Sequence, residues 1–141
     1  MASGRILVLG IPQPQGNKTA FVVKGRAVLV EGRRKESRAS FQSWRQAVAH
    51  EAAAWAKLSG LPAPIDGPVR MDVTFSLPRP KSAPKRVLHP AARPDVDKLL
   101  RAVLDSLTGI VFTDDARVVK CNVEKKFATT TPGAEISWQP L

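Results

Sequence analysis

The chain of 141 residues has one cysteine, Cys121, and two histidines, His50 and His89. A single thiol closes no internal disulfide. These counts also exclude a multi-cysteine zinc site and a histidine-rich metal centre. No apolar run approaches the roughly 20 residues of a membrane-spanning helix. The start, MASGRILVLGIPQPQ, lacks the layout of a signal peptide. Acidic residues are scarce as well: 12 Asp and Glu stand against 22 Lys and Arg, a formal charge of +10. That surplus favours a polyanionic partner, nucleic acid ahead of a membrane. A composition of 43% apolar and 24% charged residues argues against whole-chain disorder. The expectation is a reduced, cytoplasmic, basic protein spanning 1–141 as one domain, with no membrane partner.

Hydrophobic patterning gives the elements. Ile6 to Leu9 is a short β-prone run that ends at the proline-rich IPQPQGNK. Phe21 to Val23 and Ala27 to Val30 flank Lys24-Gly25-Arg26 and read as a hairpin. From Ser37 to Leu58, apolar residues Phe41, Trp44, Val48, Ala52 and Trp55 recur at helical spacing, a face expected to be core. Val69 to Leu77 alternates cleanly, as a strand with one buried face does. Residues 78–94 are proline-rich and basic and read as an extended loop. In the next helix, DVDKLLRAVLDSL, the residues Val96, Leu99, Leu100, Val103, Leu104 and Leu107 make one apolar face, and Thr108-Gly109 ends it. A strand follows with Val119, Cys121 and Val123 on its expected buried side. A last short strand carries Ala134, Ile136 and Trp138, and 139–141 reads as a tail. The order β-ββ-α-β-α-β-β, without internal repeat, predicts an α+β fold with two helices packed on a mixed β-sheet.

The acids are unevenly placed. Asp95, Asp97, Asp105, Asp114 and Asp115 are five of the twelve, directly after the most basic loop. Clustered carboxylates repel unless a cation sits among them, and Mg²⁺ suits hard oxygen donors. Residues two apart in a helix point about 200° apart, so Asp95 and Asp97 converge only if Asp95 lies at or before the N-cap. The fold is then expected to return Asp114 and Asp115 to that same end. Ordinary readings stay open for each acid: an N-cap at Asp95, an i,i+4 ion pair between Asp97 and Arg101, a plain turn at Asp114-Asp115.

The segment RPDVDKLLRAVLDSLTGIVFTDDARVVK, Arg93 to Lys120, resembles the signature of the RusA family of Holliday junction resolvases. The shared features are a D-x-D at a helix start, an LD-L helix end and a DDA-VV lead into a strand. The resemblance implies a homodimeric, Mg²⁺-dependent endonuclease, with Mn²⁺ as a substitute, that resolves four-way branched DNA by paired symmetric nicks. It also implies an occurrence common in phages. It places metal ligands at Asp95, Asp97 and Asp115, with Asp114 adjacent. The family's catalytic lysine falls on Arg101, and Lys98 stands where members commonly have Asn. Arginine keeps the charge but does not give up its proton, so Lys98 is the candidate to take over lysine chemistry.

DNA contacts are expected from Arg79, Lys81, Lys85, Arg86 and Arg93, and from Lys18, Lys24 and Arg26, through the phosphate backbone. The rival readings are a non-catalytic basic DNA-binding protein and a nuclease for flaps or branched forks. GIPQPQGNKT has the wrong spacing for a phosphate-binding loop, so no nucleotide cofactor is expected. The two histidines lack triad partners, and Cys121 reads as core rather than nucleophile.

Overall fold

The computed structural model describes residues 2–16, 18–23, 26–31, 35–61 and 63–141, with 18–23, 26–31 and 35–37 as backbone. Along the chain run β1 (Gly4–Leu9), β2 (Lys18–Val23), β3 (Arg26–Glu31), α1 (Lys35–Ser59), β4 (Val69–Leu77), α2 (Val96–Leu107), a 3-10 turn (Asp115–Arg117), β5 (Val118–Phe127) and β6 (Gly133–Pro140). This is the α+β succession that the patterning predicts. β2 and β3 pair with each other, and the remaining strands form a mixed sheet in the order β1-β6-β4-β5. In that sheet β4 and β5 run parallel and the other pairs antiparallel.

The core lies between this sheet and the helices. On β4, Val69, Met71, Val73, Phe75 and Leu77 are buried, while Arg70, Asp72, Thr74 and Ser76 are half-exposed. From α1 come Phe41, Trp44, Val48 and Ala52, all buried. Trp55 packs edge-on against Trp138 of β6 with ring centroids 4.8 Å apart, so the tryptophan-bearing face is core, as expected. α2 buries Leu99, Ala102, Val103 and Leu107, whereas Val96 is 38% exposed. Its buried stripe thus includes the small residues Ala102 and Ser106, whose hydroxyl donates to the Ala102 carbonyl at 2.7 Å. The helix ends where Gly109 takes a φ of +84°, a left-handed conformation open to glycine.

Three expectations change. Cys121 is exposed and Val119 is 63% exposed, rather than buried. Among the described residues β5 is an outer strand of the sheet, as β1 is at the other edge, and pairs with β4 on its inner side. A register shift leaves Val119 as the extra residue between the Val69–Val118 and Arg70–Lys120 pairs, which breaks the simple alternation. β6 is neither short nor peripheral: it sits between β1 and β4 and runs through Gln139 and Pro140, so most of the expected tail is strand. The 78–94 loop is tied to the body at several points, as described below.

Gly4 is set by close approach, since a β-carbon there would overlap the indoles of both Trp55 and Trp138. Gly4→Ala is expected to lower stability by about 1–3 kcal/mol. Gly67→Ala, which meets open space, should change it by no more than about 0.5 kcal/mol. Chemical denaturation of the two variants checks the contrast.

Candidate functional site

The β4–α2–β5 unit sets the geography. Because β4 and β5 are parallel, the chain leaves β4 at one end of the sheet, passes back along α2 and starts β5 at the other end. The twelve residues of α2 span about 18 Å at 1.5 Å per residue. Its N-terminus therefore lies with the 78–94 loop, and its C-terminus leads to Asp114 and Asp115.

At the N-terminal end, Asp95 occupies the N-cap position in extended conformation, yet its side chain makes no capping hydrogen bond. Its carboxylate is free of the local backbone and stands 3.8 Å from the Lys98 ammonium. Asp97 and Arg101 are exposed. Among the described residues no ion pair joins Asp97 to Arg101, so the plain surface-pair reading of Asp97 fails. The proline-rich segment after β1 docks against the same turn, the Gln15 amide donating to the Lys98 carbonyl at 2.9 Å. Between them lies a recess of about 450 Å³ bounded by Gln15, Arg93, Asp95 and Lys98. The Gln15 Oε1 is buried there without a hydrogen-bond partner.

The basic loop is organised from within. Arg79 donates to the carbonyls of Val87 (2.8 Å) and Pro84 (2.6 Å) and lies over the Phe127 ring at 4.9 Å. Lys125 reaches from β5 to the carbonyls of Ala92 (2.7 Å) and Pro94 (2.9 Å), fixing the loop where it enters α2. Lys81, Lys85, Arg86 and Arg93 stay exposed, without ion pairs among the described residues. Lys24 lies outside the described residues. Lys18 and Arg26 begin β2 and β3, where backbone alone is described.

At the other end of α2, the Asp114 carboxylate accepts from the Ala116 amide at 2.8 Å and caps the 3-10 turn that Asp115 begins. That bond, with the hydrogen bond to Asp115, holds Asp114 below the usual carboxylate range. Asp115 is shifted upward, first by sharing a hydrogen bond with Asp114, then by partial desolvation and the charges of Asp114 and Asp105, against the pull of Arg101. Asp66 pins both sides of this turn. It accepts from Thr113 Oγ1 at 2.9 Å and from Arg117 at 3.0 and 2.8 Å, and these bonds lower its own pKa.

The expected single pocket of Asp95, Asp97 and Asp115 is thus not assembled within one chain. Among the described residues no group of three or more His, Cys, Asp or Glu side chains stands close enough to hold a metal ion. The reason is the parallel crossover, which brings Asp115 beside Arg101 and Asp105 rather than back to the helix start. Each end still offers carboxylate oxygens, Asp95 and Asp97 at the start and Asp114 and Asp115 beyond the end. Such a set fits a hard divalent cation, which commonly takes one or two carboxylates and completes its shell with water and substrate phosphate. Patterning missed Asp66, Lys125 and Gln15, because each acts through a partner distant in sequence. The Lys125-Lys126 doublet at the end of a strand was the one available signal.

A two-layer α+β body thus sets the uncapped Asp95, paired with Lys98, and the exposed Asp97 at a helix start beside a loop of exposed cations. The comparison with known families makes this specific. Residues 11–138 match the family described as "Endodeoxyribonuclease RusA", and the chain belongs to that family. The family is one of endodeoxyribonucleases that resolve Holliday junctions and generally require a divalent metal. The chain is also similar to the uncharacterized protein YqaN of Bacillus subtilis (strain 168), 38% identical over 82 residues, covering 51% of this chain and 57% of that protein. It thus spans little more than half the length of that relative.

Asp115 is expected to keep its proton to higher pH than Asp114, so that the second negative charge of the pair appears only as pH rises through the raised value. Replacing Asp114 with Asn should move the Asp115 midpoint down. Carbon-detected NMR titration of the carboxyl groups reads both.

Proposed function

We propose that this protein is a structure-specific endodeoxyribonuclease that resolves four-way DNA junctions by paired symmetric nicks, acting in the cytoplasm as a homodimer with Mg²⁺, or Mn²⁺ in its stead. The observation that carries the reading is the juxtaposition, at one end of α2, of the uncapped Asp95 carboxylate and exposed Asp97 with the free cations of the 78–94 loop. Family membership supplies the reaction class.

Asp95, Asp97 and Asp115, with Asp114 adjacent, would hold the ion between a pair of chains, since one chain does not gather them among its described residues. When bound, it supplies Lewis-acid polarisation of a phosphodiester and a more acidic water. Arg101, permanently charged, clamps a phosphate oxygen and stabilises the charge that develops there. Lys98 lies beside Asp95 and has the reach to contact the scissile phosphate. Lys81, Lys85, Arg86 and Arg93 hold the strand by its backbone without reading sequence. A four-way junction presents two cleavage points related by a two-fold axis, and a symmetric pair of chains addresses both. The distribution of acids along α2 supports that pairing, because a second copy adds carboxylates that one chain does not gather in one place.

Incubating the protein with a four-way junction, a flap and a linear duplex, with and without Mg²⁺, tests the reading. Nicking of the junction alone in the presence of metal is expected. Binding without cutting, or preferred cutting of the flap, overturns it. Asp97→Asn is expected to lower junction cleavage by on the order of 10²-fold or more while binding persists. Binding should weaken steeply with salt. Replacing Lys81, Lys85 and Arg86 together should flatten the log–log salt slope by about 0.9 for each phosphate that is no longer neutralised, as measured by fluorescence anisotropy.

A further inference from the structure

An apolar cavity of about 580 Å³ opens beside the acidic end of α2. Leu77 and Phe127, at the ends of β4 and β5, form its floor, and Pro80, Val87, Pro90 and Pro94 contribute to its walls. Among the described residues, His89 and Arg93 alone bring polar side chains to its lining. Its size falls within the roughly 300–1,000 Å³ of small-ligand sites, which are likewise mostly apolar with a few placed polar groups. The 78–94 loop does not wander over it. Arg79 bonds the Val87 and Pro84 carbonyls, and Lys125 bonds those of Ala92 and Pro94, so the walls are held in place from both strand ends. None of the residues named for the metal or for catalysis lines it.

We propose that this cavity receives a nucleobase displaced from the stack at the branch point of bound DNA. The proposal rests on the branched-DNA reading above and extends it to a site for the base itself. Arg93 and Pro94 line both the cavity and the recess at Asp95, so a strand passing the acids passes the mouth of the cavity. Charge selects the ligand. The same loop carries the exposed cations Lys81, Lys85, Arg86 and Arg93, which suit a polyanionic strand and not an apolar peptide. Proline and phenylalanine rings accept any base, because every base has a π-face and stacking does not depend on sequence. His89 adds a ring nitrogen able to hydrogen-bond a base edge. A base at a branch point is already poorly stacked, so drawing it out costs less there than in a continuous duplex. The cavity thereby favours branched over linear DNA through structure rather than sequence.

The test uses the full chain without divalent metal, so that DNA is bound and not cut. A four-way junction carries 2-aminopurine at a crossover position, and anisotropy and 2-aminopurine emission are read together. The expected result is tighter binding of the junction than of linear duplex, with a severalfold rise in emission as the base leaves the stack. Ala91→Trp, which fills the cavity from its wall, is expected to abolish the rise and to narrow the junction preference, with duplex affinity unchanged. Phe127→Leu, which keeps apolar volume but removes the ring, is expected to reduce the rise and guards against misfolding of the first variant. Junction preference without a rise in the wild type, the outcome expected of a cavity built for an apolar peptide, overturns the proposal and leaves the branched-DNA reading standing. So does a rise that persists in both variants. Equal binding of junction and duplex overturns the branched-DNA reading and this proposal with it.

Discussion

The parallel pairing of β4 with β5 governs the rest of this structure. An antiparallel partner would have allowed a tight turn and left no room for a helix. A parallel one requires the chain to travel the length of the sheet before pairing begins. α2 makes that journey, and its length separates the acids at its start from those that follow it. The same crossover puts the long loop after β4 next to the N-terminus of α2. The proximity of unpaired cations to uncapped carboxylates is therefore a result of topology before it is one of side-chain chemistry.

Two internal clamps make this geography usable. Lys125 and Arg79 are cations by type and scaffold by role, since each bonds carbonyls of the loop that carries the exposed cations. Asp66 does the corresponding work for the Asp114-Asp115 turn, gripping Thr113 on one side and Arg117 on the other. Exposed ion pairs contribute little to stability one at a time. Their value here is positional, because a carboxylate on a short turn is useful only if the turn stays where it is.

Much of the fold was legible in the patterning because the contrast between faces is strong where an element is buried on one side only. β4 alternates without error, and α2 carries leucine and valine at helical spacing. The order of all the elements follows from such contrasts and from breaks such as the proline-rich run after β1 and Thr108-Gly109. Legibility ended where tertiary neighbours decide. Cys121 and Val119 resemble core residues, yet they lie on an outer strand whose register shifts by one residue. Gln139 and Pro140 look like a tail, yet they pair with Arg70 and Val69. At the site, Asp95 and Asp97 were legible as a pair because they share one helix start. The position of Asp115 depends on the direction in which β5 pairs, and no local spacing encodes that.

β5 is ten residues long and, among the described residues, has a strand partner on one flank only, so its other flank offers backbone amides and carbonyls to any extended chain it meets. With Val119 and Cys121 exposed along it, such a flank is a template for aggregation. Lys120, Lys125 and Lys126 lie on that strand, and their charges repel a like-charged copy from stacking onto it. The positive surplus of this protein thus also serves as protection against self-association through the β5 flank.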